Sequence, residues 1–300
     1  MAIPVILDTD IGFDVDDIWA LAFMLKCPEL DIKLVVTNTG DTLYSAKLVA
    51  KLLAVAGRSD IPVGIGIPID AVPKTHAKWL GDYRLEDYQG VVFQDAVGAI
   101  CETILSSADP VTLVCIGPLT NIAASLQRAP AITGNSRFIG MHGSIKRGYL
   151  GAAKPMKEYN VKCHTMACQH VFRTPWDISI TPLDTCGLVS LKGDDYRRVA
   201  ESQDPLALAV MENHFGWFDK VSDWPMLSEL DPAQESSILY DTVAIYMAFS
   251  EDLLAMEELS VSVTDDARTV IDANGQVISC AMSWQNQSQF EQLLARRIAS

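Results

Sequence analysis

Short, continuous apolar runs alternate with stretches of apolar residues at helical spacing along this chain of 300 residues. Residues 3–7 and 111–116 are two such runs. A strand without polar alternation is buried on both faces, as the strands of a parallel sheet are. Helices between such strands cover the two faces of the sheet. The pattern predicts an α/β fold with a mainly parallel open sheet flanked by helices.

The same pattern assigns further elements along the chain. Strands are predicted at 32–37, 62–67, 138–141 and 178–183, and helices at 16–25, 42–56, 94–105, 119–127 and 164–172. Short runs at 259–263, 268–271 and 277–282, separated by turn residues, predict a small antiparallel β element before a last helix at 285–298. No linker or repeat interrupts this order, so we expect residues 1–300 to form a single domain.

Five carboxylates follow the first predicted strand within ten residues: Asp8, Asp10, Asp14, Asp16 and Asp17. In open α/β sheets, ligands bind beyond the carboxyl ends of the strands. Like charges confined there repel one another unless a cation neutralises them, and oxygen ligands favour Ca²⁺ or Mg²⁺ over zinc. The cluster therefore predicts a metal site, with a solvated acidic loop as the alternative. An EF-hand fits poorly because Trp19 or Leu21 would occupy its twelfth position.

The composition excludes several classes of protein. Apolar residues make up 49% of the chain and charged residues 20%, so the chain is not intrinsically disordered. The net charge of −15 argues against nucleic acid and anionic membrane surfaces as partners. We expect a cytoplasmic protein, because the N-terminus lacks the basic segment of a signal peptide and the seven cysteines form no CxxC pair. A zinc site at Cys163, His164 and Cys168 is an alternative use of two of those cysteines.

Four motifs together resemble one family. The acidic stretch is similar to the DxDxGxDD motif of nucleoside hydrolases of the inosine-uridine preferring type. Residues 117–121 (Gly-Pro-Leu-Thr-Asn), residues 158–160 (Glu-Tyr-Asn) and the Tyr240-Asp241 pair resemble its later motifs, in the same order. The resemblance covers nearly the whole chain and implies a nucleoside hydrolase-like fold.

The resemblance also implies an activity and a set of site residues. Family members cleave the N-glycosidic bond of ribonucleosides with a bound Ca²⁺, which releases base and ribose. Carried over to this chain, the metal ligands are Asp10, Asp17, Asp241 and the carbonyl of Ile116, and Asp10 is also the base toward the attacking water. The ribose hydroxyls would be held by Asp16, Glu158 and Asn160. A homodimer or homotetramer is expected on the same grounds.

The chain departs from the family around the substrate rather than around the metal. Tyr240 replaces the histidine that many members use as the leaving-group acid, and Asp41 stands where asparagine is usual. Leu80, Ala152 and His142, which follows Met141, are further departures. The sequence predicts an active hydrolase with an altered leaving-group or ribosyl preference. Either another donor such as His142 or His214 supplies the proton, or the natural leaving group needs little protonation. Tyr240 is the candidate catalytic residue on the leaving-group side, and candidate contacts to the substrate include Asp41, Met141, His142 and, in a flap over the base, Trp217.

Two other functions remain open from the sequence. The first is a non-catalytic homologue that binds Ca²⁺ and a ribosyl ligand without turnover. The second is a phosphohydrolase of the haloacid-dehalogenase type, because residues 7–10 (Leu-Asp-Thr-Asp) also resemble its DxD motif. That mechanism needs a phosphate-binding lysine before an acidic pair, and Lys192 before Asp194-Asp195 is the available candidate.

Overall fold

The fold is built on a sheet of ten strands. It is seen in a computed structural model that describes residues 2–300, apart from the side chain of Met226. The strands are β1 (Ile3–Thr9), β2 (Leu30–Thr37), β3 (Val63–Ile65), β4 (Val92–Phe93), β5 (Val111–Cys115), β6 (Ser136–Met141), β7 (Ile178–Thr181), β8 (Leu254–Val263), β9 (Thr269–Ile271) and β10 (Gln276–Trp284). Their spatial order is β4-β3-β2-β1-β5-β6-β7-β10-β8-β9.

Neighbouring strands from β4 across to β10 are paired in parallel. The central strands are buried on both faces, and all five residues of β5 are inaccessible to solvent. Continuous apolar runs are therefore explained by the helices that cover both faces. The predicted mainly parallel sheet flanked by helices is confirmed.

Helices pack on both sides of this sheet. They are α1 (Asp16–Leu25), α2 (Thr42–Val55), α3 (Ala77–Leu80), α4 (Ala96–Ser106), α5 (Thr120–Arg128), α6 (Tyr159–Cys163), α7 (Thr165–Arg173), α8 (Gly193–Ala200), α9 (Pro205–Val221), α10 (Thr242–Met247) and α11 (Gln287–Ile298). One apolar core contains side chains of α1, α2 and α8–α11, and the other contains side chains of α4, α5 and α7.

The connectivity reverses direction beside β1. The chain runs from β1 outward through β2 and β3 to β4, and then returns across the sheet to β5, β6 and β7. The crevice between the carboxyl ends of β1 and β5 is therefore a topological switch point, where open α/β sheets bind ligands. The acidic loop begins at the end of β1 and so lies at this crevice.

The predicted antiparallel element at the C-terminus is confirmed, but its strand order is not that of a simple meander. β8 lies between β10 and β9 and is antiparallel to both, while β10 also continues the main sheet in parallel with β7. Residues Ile278, Cys280 and Ala281 of β10 are fully buried, which suits an internal strand. In contrast, Ile271 of β9 is 58% exposed, as expected of a short edge strand.

Candidate active site

Three aspartates meet at the switch point. Asp16 and Asp17 form the first turn of α1, where the positive end of the helix dipole favours carboxylates. Asp241 immediately precedes α10. Each of the three carboxylates has an oxygen within 4.8 Å of the others, and all three side chains are buried. The fold thus brings together residues that are more than 220 positions apart in the sequence.

Burial and mutual repulsion raise the pKa values of this cluster. Burial raises the pKa of Asp16, Asp17 and Asp241 well above the usual range of aspartate. Neighbouring carboxylates, including that of Asp10, raise these pKa values further. The Thr9 hydroxyl offsets part of this effect because it donates a hydrogen bond to Asp17. Buried oxygen donors that repel one another when ionised fit a hard divalent cation such as Ca²⁺.

We expect the effect of Ca²⁺ on stability to grow with pH. The folded-state pKa values of the three aspartates lie well above their unfolded values near 4, so the metal-free protein loses stability as the pH rises above about 4. Calcium binds the ionised carboxylates, so its affinity rises over the same range. Thermal unfolding with calcium and with a chelator, measured between pH 5 and 8, tests this expectation. A calcium-induced rise in Tm that stays constant with pH would contradict it.

Asp10 lies beside the end of β5. A Cβ atom at Gly117 would approach Asp10 Oδ1 to 2.8 Å and the Asp10 backbone nitrogen to 2.9 Å, so only glycine allows these segments to pack. Burial, and then the charges of Asp14, Asp8 and Glu158, raise the pKa of Asp10. An aspartate of raised pKa that faces a cavity can accept a proton near neutral pH.

Glu158 and Asn160 form hydrogen bonds that connect α6 to the ends of β5 and β6. Glu158 caps α6 and accepts hydrogen bonds from the backbone N–H groups of Gly143 at 3.0 Å, Asn160 at 2.6 Å and Val161 at 3.1 Å. Burial raises its pKa to about 7 despite these bonds. The Nδ2 group of Asn160 donates to the carbonyls of Ile116 at 3.1 Å and Met141 at 3.0 Å. These contacts fix the rim formed by β5, β6 and α6.

Asp8 and Asn121 lie behind the cavity and support it. The Nδ2 of Asn121 donates to Asp8 Oδ1 at 2.8 Å and to the carbonyl of Thr37 at 3.0 Å, and its Oδ1 accepts from the N–H of Ile67. One side chain in the first turn of α5 thus joins the ends of β1 and β2 to the segment after β3. The hydrogen bond from Asn121 thus holds Asp8 at the end of β1.

Aromatic rings enclose the acidic floor. The cavity has a volume of about 460 Å³ and contains the predicted residues Asp10, Asp16, Asp17, Ile116, Met141, Glu158, Asn160, Tyr240 and Asp241. Its walls are formed by Phe13, Tyr149, Tyr159, Trp224 and Tyr240. The rings of Phe13 and Tyr159 stack with centroids 6.1 Å apart, and Trp224 lies 5.4 Å from Phe13. The space therefore suits a small molecule with a polar part and a flat ring.

The loop that carries Phe13 and Asp14 is held through its carbonyl groups. The Thr75 hydroxyl donates to the carbonyl of Phe13 at 2.7 Å, and Trp217 Nε1 donates to the same oxygen at 3.1 Å. His76 Nε2 lies 3.0 Å from the Asp14 carbonyl, and its Nδ1 lies 2.9 Å from Asn213 Oδ1. Buried side chains from outside the cavity thus determine where the loop lies.

Three residues predicted to contact the substrate lie elsewhere among the described residues. Asp41 is exposed, caps α2 through the N–H of Tyr44 at 3.0 Å and forms an ion pair with Lys74 at 2.6 Å. Trp217 is buried behind Phe13 and does not line the cavity. Trp224 lines the cavity wall instead. His142 is buried on the opposite face of the sheet between Phe138 and Phe172.

The histidine and lysine candidates do not line the cavity. Burial lowers the pKa of His142 to about 3 and also lowers that of His214, so both rings are neutral. His214 contacts the Pro232 carbonyl at 3.0 Å instead. Lys192 forms a surface ion pair with Glu235 at 2.5 Å, so it is not placed to bind a phosphate beside Asp8 and Asp10.

The zinc alternative finds no support among residues 2–300. His164 accepts a hydrogen bond from the N–H of Ala167, and Cys168 is buried in the core. The described chain contains one group of three metal-ligating side chains in reach of one another, formed by Asp16, Asp17 and Asp241. All seven cysteines are free thiols.

Four of the aromatic wall residues were not predicted from the sequence. Phe13 and Tyr159 lie inside motifs that were recognised for their carboxylates and amide, so their position next to these groups was the available signal. Tyr149 and Trp224 lie in long connections without a periodic pattern, and nothing local distinguishes them. Asp14, one of the five carboxylates after the first strand, lines the cavity and is half-buried.

An acidic cavity with aromatic walls at the switch point of a parallel sheet defines an α/β protein with a small-molecule site. The sequence model of the inosine-uridine preferring nucleoside hydrolases matches residues 5–296. The chain belongs to this family, which confirms the resemblance carried by its four motifs. The prediction of a glycosidase is confirmed at the level of the family.

Curated relatives agree with this assignment. The non-specific ribonucleoside hydrolase RihC of Escherichia coli is 32% identical over 291 residues, which cover 92% of this chain and 90% of that protein. RihC of Klebsiella pneumoniae is 33% identical over 204 residues, which cover 65% of this chain and 66% of that protein.

Solved structures share the fold. The plant nucleoside hydrolase PpNRh1 superposes with a TM-score of 0.85 at 21% identity, and all of both chains is covered. The purine-preferring ribonucleoside hydrolase from Gardnerella vaginalis gives a TM-score of 0.80 at 20% identity, over 99% of this chain and 98% of that one. Within residues 2–300, none of the helices combines the length and apolar character needed to cross a bilayer.

Proposed function

We propose that this protein hydrolyses the N-glycosidic bond of a ribonucleoside or related N-riboside with the help of Ca²⁺. The observation that carries the proposal is the convergence of Asp16, Asp17 and Asp241 beneath a cavity walled by aromatic rings. Membership of the nucleoside hydrolase family supports the reaction class. We also propose that residues 1–300 act as one domain, as a cytoplasmic homodimer or homotetramer.

The carboxylates would have three roles, which are to bind the metal, to accept a proton from water and to stabilise the transition state. Asp10, Asp17, Asp241 and the Ile116 carbonyl would hold the calcium ion, beside Asp16. When bound, the ion lowers the pKa of water and so favours a nucleophile near neutral pH. Asp10 accepts the proton that the attacking water loses. The surrounding carboxylates stabilise the positive charge that develops on the ribose ring.

Ribose hydroxyls would be oriented by groups that are already fixed by the protein. Glu158 accepts three backbone N–H bonds, so its oxygens are held in place for a further hydroxyl donor. The Nδ2 of Asn160 is committed to two carbonyls, which leaves its Oδ1 to accept from a hydroxyl. Groups held rigidly before the substrate arrives lose little entropy on binding it.

Tyr240 would contact the leaving group as a hydrogen-bond donor. Burial, and then the charges of Asp14 and Asp16, raise the pKa of Tyr240 well above the usual range of tyrosine. A phenol of raised pKa holds its proton more tightly, so it transfers that proton poorly to a departing base. We therefore expect the enzyme to favour ribosides whose leaving group needs little protonation.

A panel of ribosides tests the proposed function. The protein is incubated with Ca²⁺ and inosine, uridine or nitrophenyl riboside, and free ribose is measured. We expect ribose release, with kcat/KM for nitrophenyl riboside at least about tenfold above the values for inosine and uridine. Equal kcat/KM values for nitrophenyl riboside, inosine and uridine would contradict the proposal that Tyr240 is a poor proton donor to the leaving group. Binding of calcium and riboside without any release of ribose would identify a non-catalytic binder instead.

A further inference from the structure

We propose that the Tyr149 hydroxyl donates a hydrogen bond to the 5′-hydroxyl of the riboside and makes the enzyme selective for ribosides whose 5′-hydroxyl is free. The proposal rests on the proposed function, because it assigns one further contact to the same substrate. Three observations carry it: the hydrogen bonding of the Tyr149 oxygen, the place of its ring in the cavity, and the anchoring of the loop that contains it.

The Tyr149 hydroxyl has a proton to donate at the cavity. Its oxygen accepts the backbone N–H of Tyr159 at 2.8 Å. A phenol oxygen can accept one hydrogen bond while its own O–H donates another, and an unperturbed tyrosine keeps its proton at neutral pH. None of the described residues accepts that proton, and Tyr149 lines the cavity. The O–H group is therefore available to a bound ligand.

The Tyr149 oxygen lies at the first turn of α6, next to Glu158. Its partner Tyr159 follows Glu158 directly in the chain, and the Glu158 carboxylate accepts the N–H groups of Asn160 and Val161 in the same turn. A ligand hydroxyl at this point can donate its proton to Glu158 and accept the proton of Tyr149, because a hydroxyl is both donor and acceptor. A methyl group in its place would leave both partners without this bond.

The ring of Tyr149 indicates which hydroxyl of the ribose lies there. It meets the ring of Tyr240, the proposed contact to the leaving group, edge to face with centroids 5.9 Å apart. In a β-riboside the base and the 5′-CH₂OH group project from one face of the sugar, and the 2′- and 3′-hydroxyls project from the other. In a direct displacement water attacks the face opposite to the base, so Asp10 and the calcium site belong to the face of the 2′- and 3′-hydroxyls. The hydroxyl on the side of Tyr149 is therefore the 5′-hydroxyl.

Tyr149 is the one described residue that the connection between β6 and α6 contributes to the cavity. Residues 152–157 of that connection are exposed and do not line the cavity. No other side chain of the connection can therefore replace the Tyr149 hydroxyl at this point.

The loop that contains Tyr149 is anchored from outside the cavity. The buried carboxylate of Asp184 accepts the backbone N–H groups of residues 145–147 at 2.7–3.1 Å. Leu150 and Gly151 follow with φ angles of +54° and +72°, so the chain turns sharply after Tyr149. A non-glycine residue keeps such a conformation only where the surrounding structure fixes it. A hydroxyl that is fixed before the substrate arrives loses little entropy when it forms its bond.

A cycle of two proteins and two substrates tests the contact. The value of kcat/KM is measured under calcium saturation for nitrophenyl riboside and nitrophenyl 5-deoxyriboside, with wild type and with Tyr149→Phe. We expect wild type to prefer the full riboside, and the ratio between the two substrates to be at least about fivefold smaller in Tyr149→Phe. Phenylalanine also leaves the N–H of Tyr159 without its acceptor, but that structural effect acts on both substrates and cancels in the ratio. Tyr83→Phe removes a hydroxyl outside the cavity that has no partner among the described residues, and this matched control should keep the wild-type ratio.

Inhibition supplies the same ratio if the 5-deoxy substrate is hydrolysed too slowly to measure. Inhibition constants for inosine and 5′-deoxyinosine are then measured against nitrophenyl riboside, and the preference of wild type for inosine should shrink at least about fivefold in Tyr149→Phe. A ratio in Tyr149→Phe that equals the wild-type ratio overturns the contact with the 5′-hydroxyl while the proposed function stands. Absence of sugar release by wild type from nitrophenyl riboside, inosine and uridine overturns the proposed function itself.

Discussion

Replacement of Asp10 by asparagine should lower kcat by about a hundredfold or more, with a smaller effect on the binding of substrate and metal. Asparagine has the size and shape of aspartate, which matters because Gly117 packs directly against this side chain. The amide cannot accept the proton that the attacking water must lose. We therefore expect the fall in kcat to arise from a slower chemical step and not from a change in the fold of the loop.

The measurement needs a demonstration that Asp10→Asn still binds calcium. Calorimetry gives the metal affinity, and steady-state kinetics under calcium saturation give kcat and KM separately. Asp219→Asn, an exposed position on α9 with 67% of its side chain accessible, is the matched control for the loss of one negative charge. Near-normal kcat in a calcium-loaded Asp10→Asn protein would exclude Asp10 as the base.

The parallel sheet could be predicted because its strands leave a strong pattern. A strand buried on both faces favours apolar residues at nearly every position, and residues 3–7 of β1 and all of β5 except Thr112 fit that preference. The start of α1 was predictable too, because Asp16 and Asp17 stand directly before the apolar residues of the helix. Helix α9 has no comparable one-sided pattern. It packs on other helices and on the loop around Phe13, so its buried residues are distributed over several faces.

The position of individual side chains was less predictable than the motifs. Met141 ends β6 facing the cavity, and the alternation of side chains along a strand turns His142 to the other face. Asp41 precedes α2, where aspartate is a preferred helix cap, so a structural role replaces the expected substrate contact. The residues of the acidic cluster were recognised as a group because like charges without a partner have no simple structural explanation.

Replacement of Asp241 by alanine should abolish tight calcium binding. The variant removes one of the three carboxylates that meet within 4.8 Å, and the number of charged ligands tunes calcium affinity over several orders of magnitude. At a calcium concentration of 100 times the wild-type Kd, binding stabilises the folded wild type by about 2.7 kcal/mol. We expect almost none of this gain in Asp241→Ala, and ribose release should fall below detection.

The metal-free variant should change stability in the opposite direction, which separates a metal ligand from a merely structural aspartate. Asp241 is buried among Asp16, Asp17 and Asp10, and burial followed by their charges raises its pKa well above the usual range. Its removal relieves repulsion in the absence of metal, so the Tm in a chelator at pH 8 should rise above that of wild type. Asp219→Ala should change neither the metal-free Tm nor the calcium-induced gain. If Asp241 only supported α10, its loss would instead lower the metal-free Tm and leave the calcium-induced gain intact.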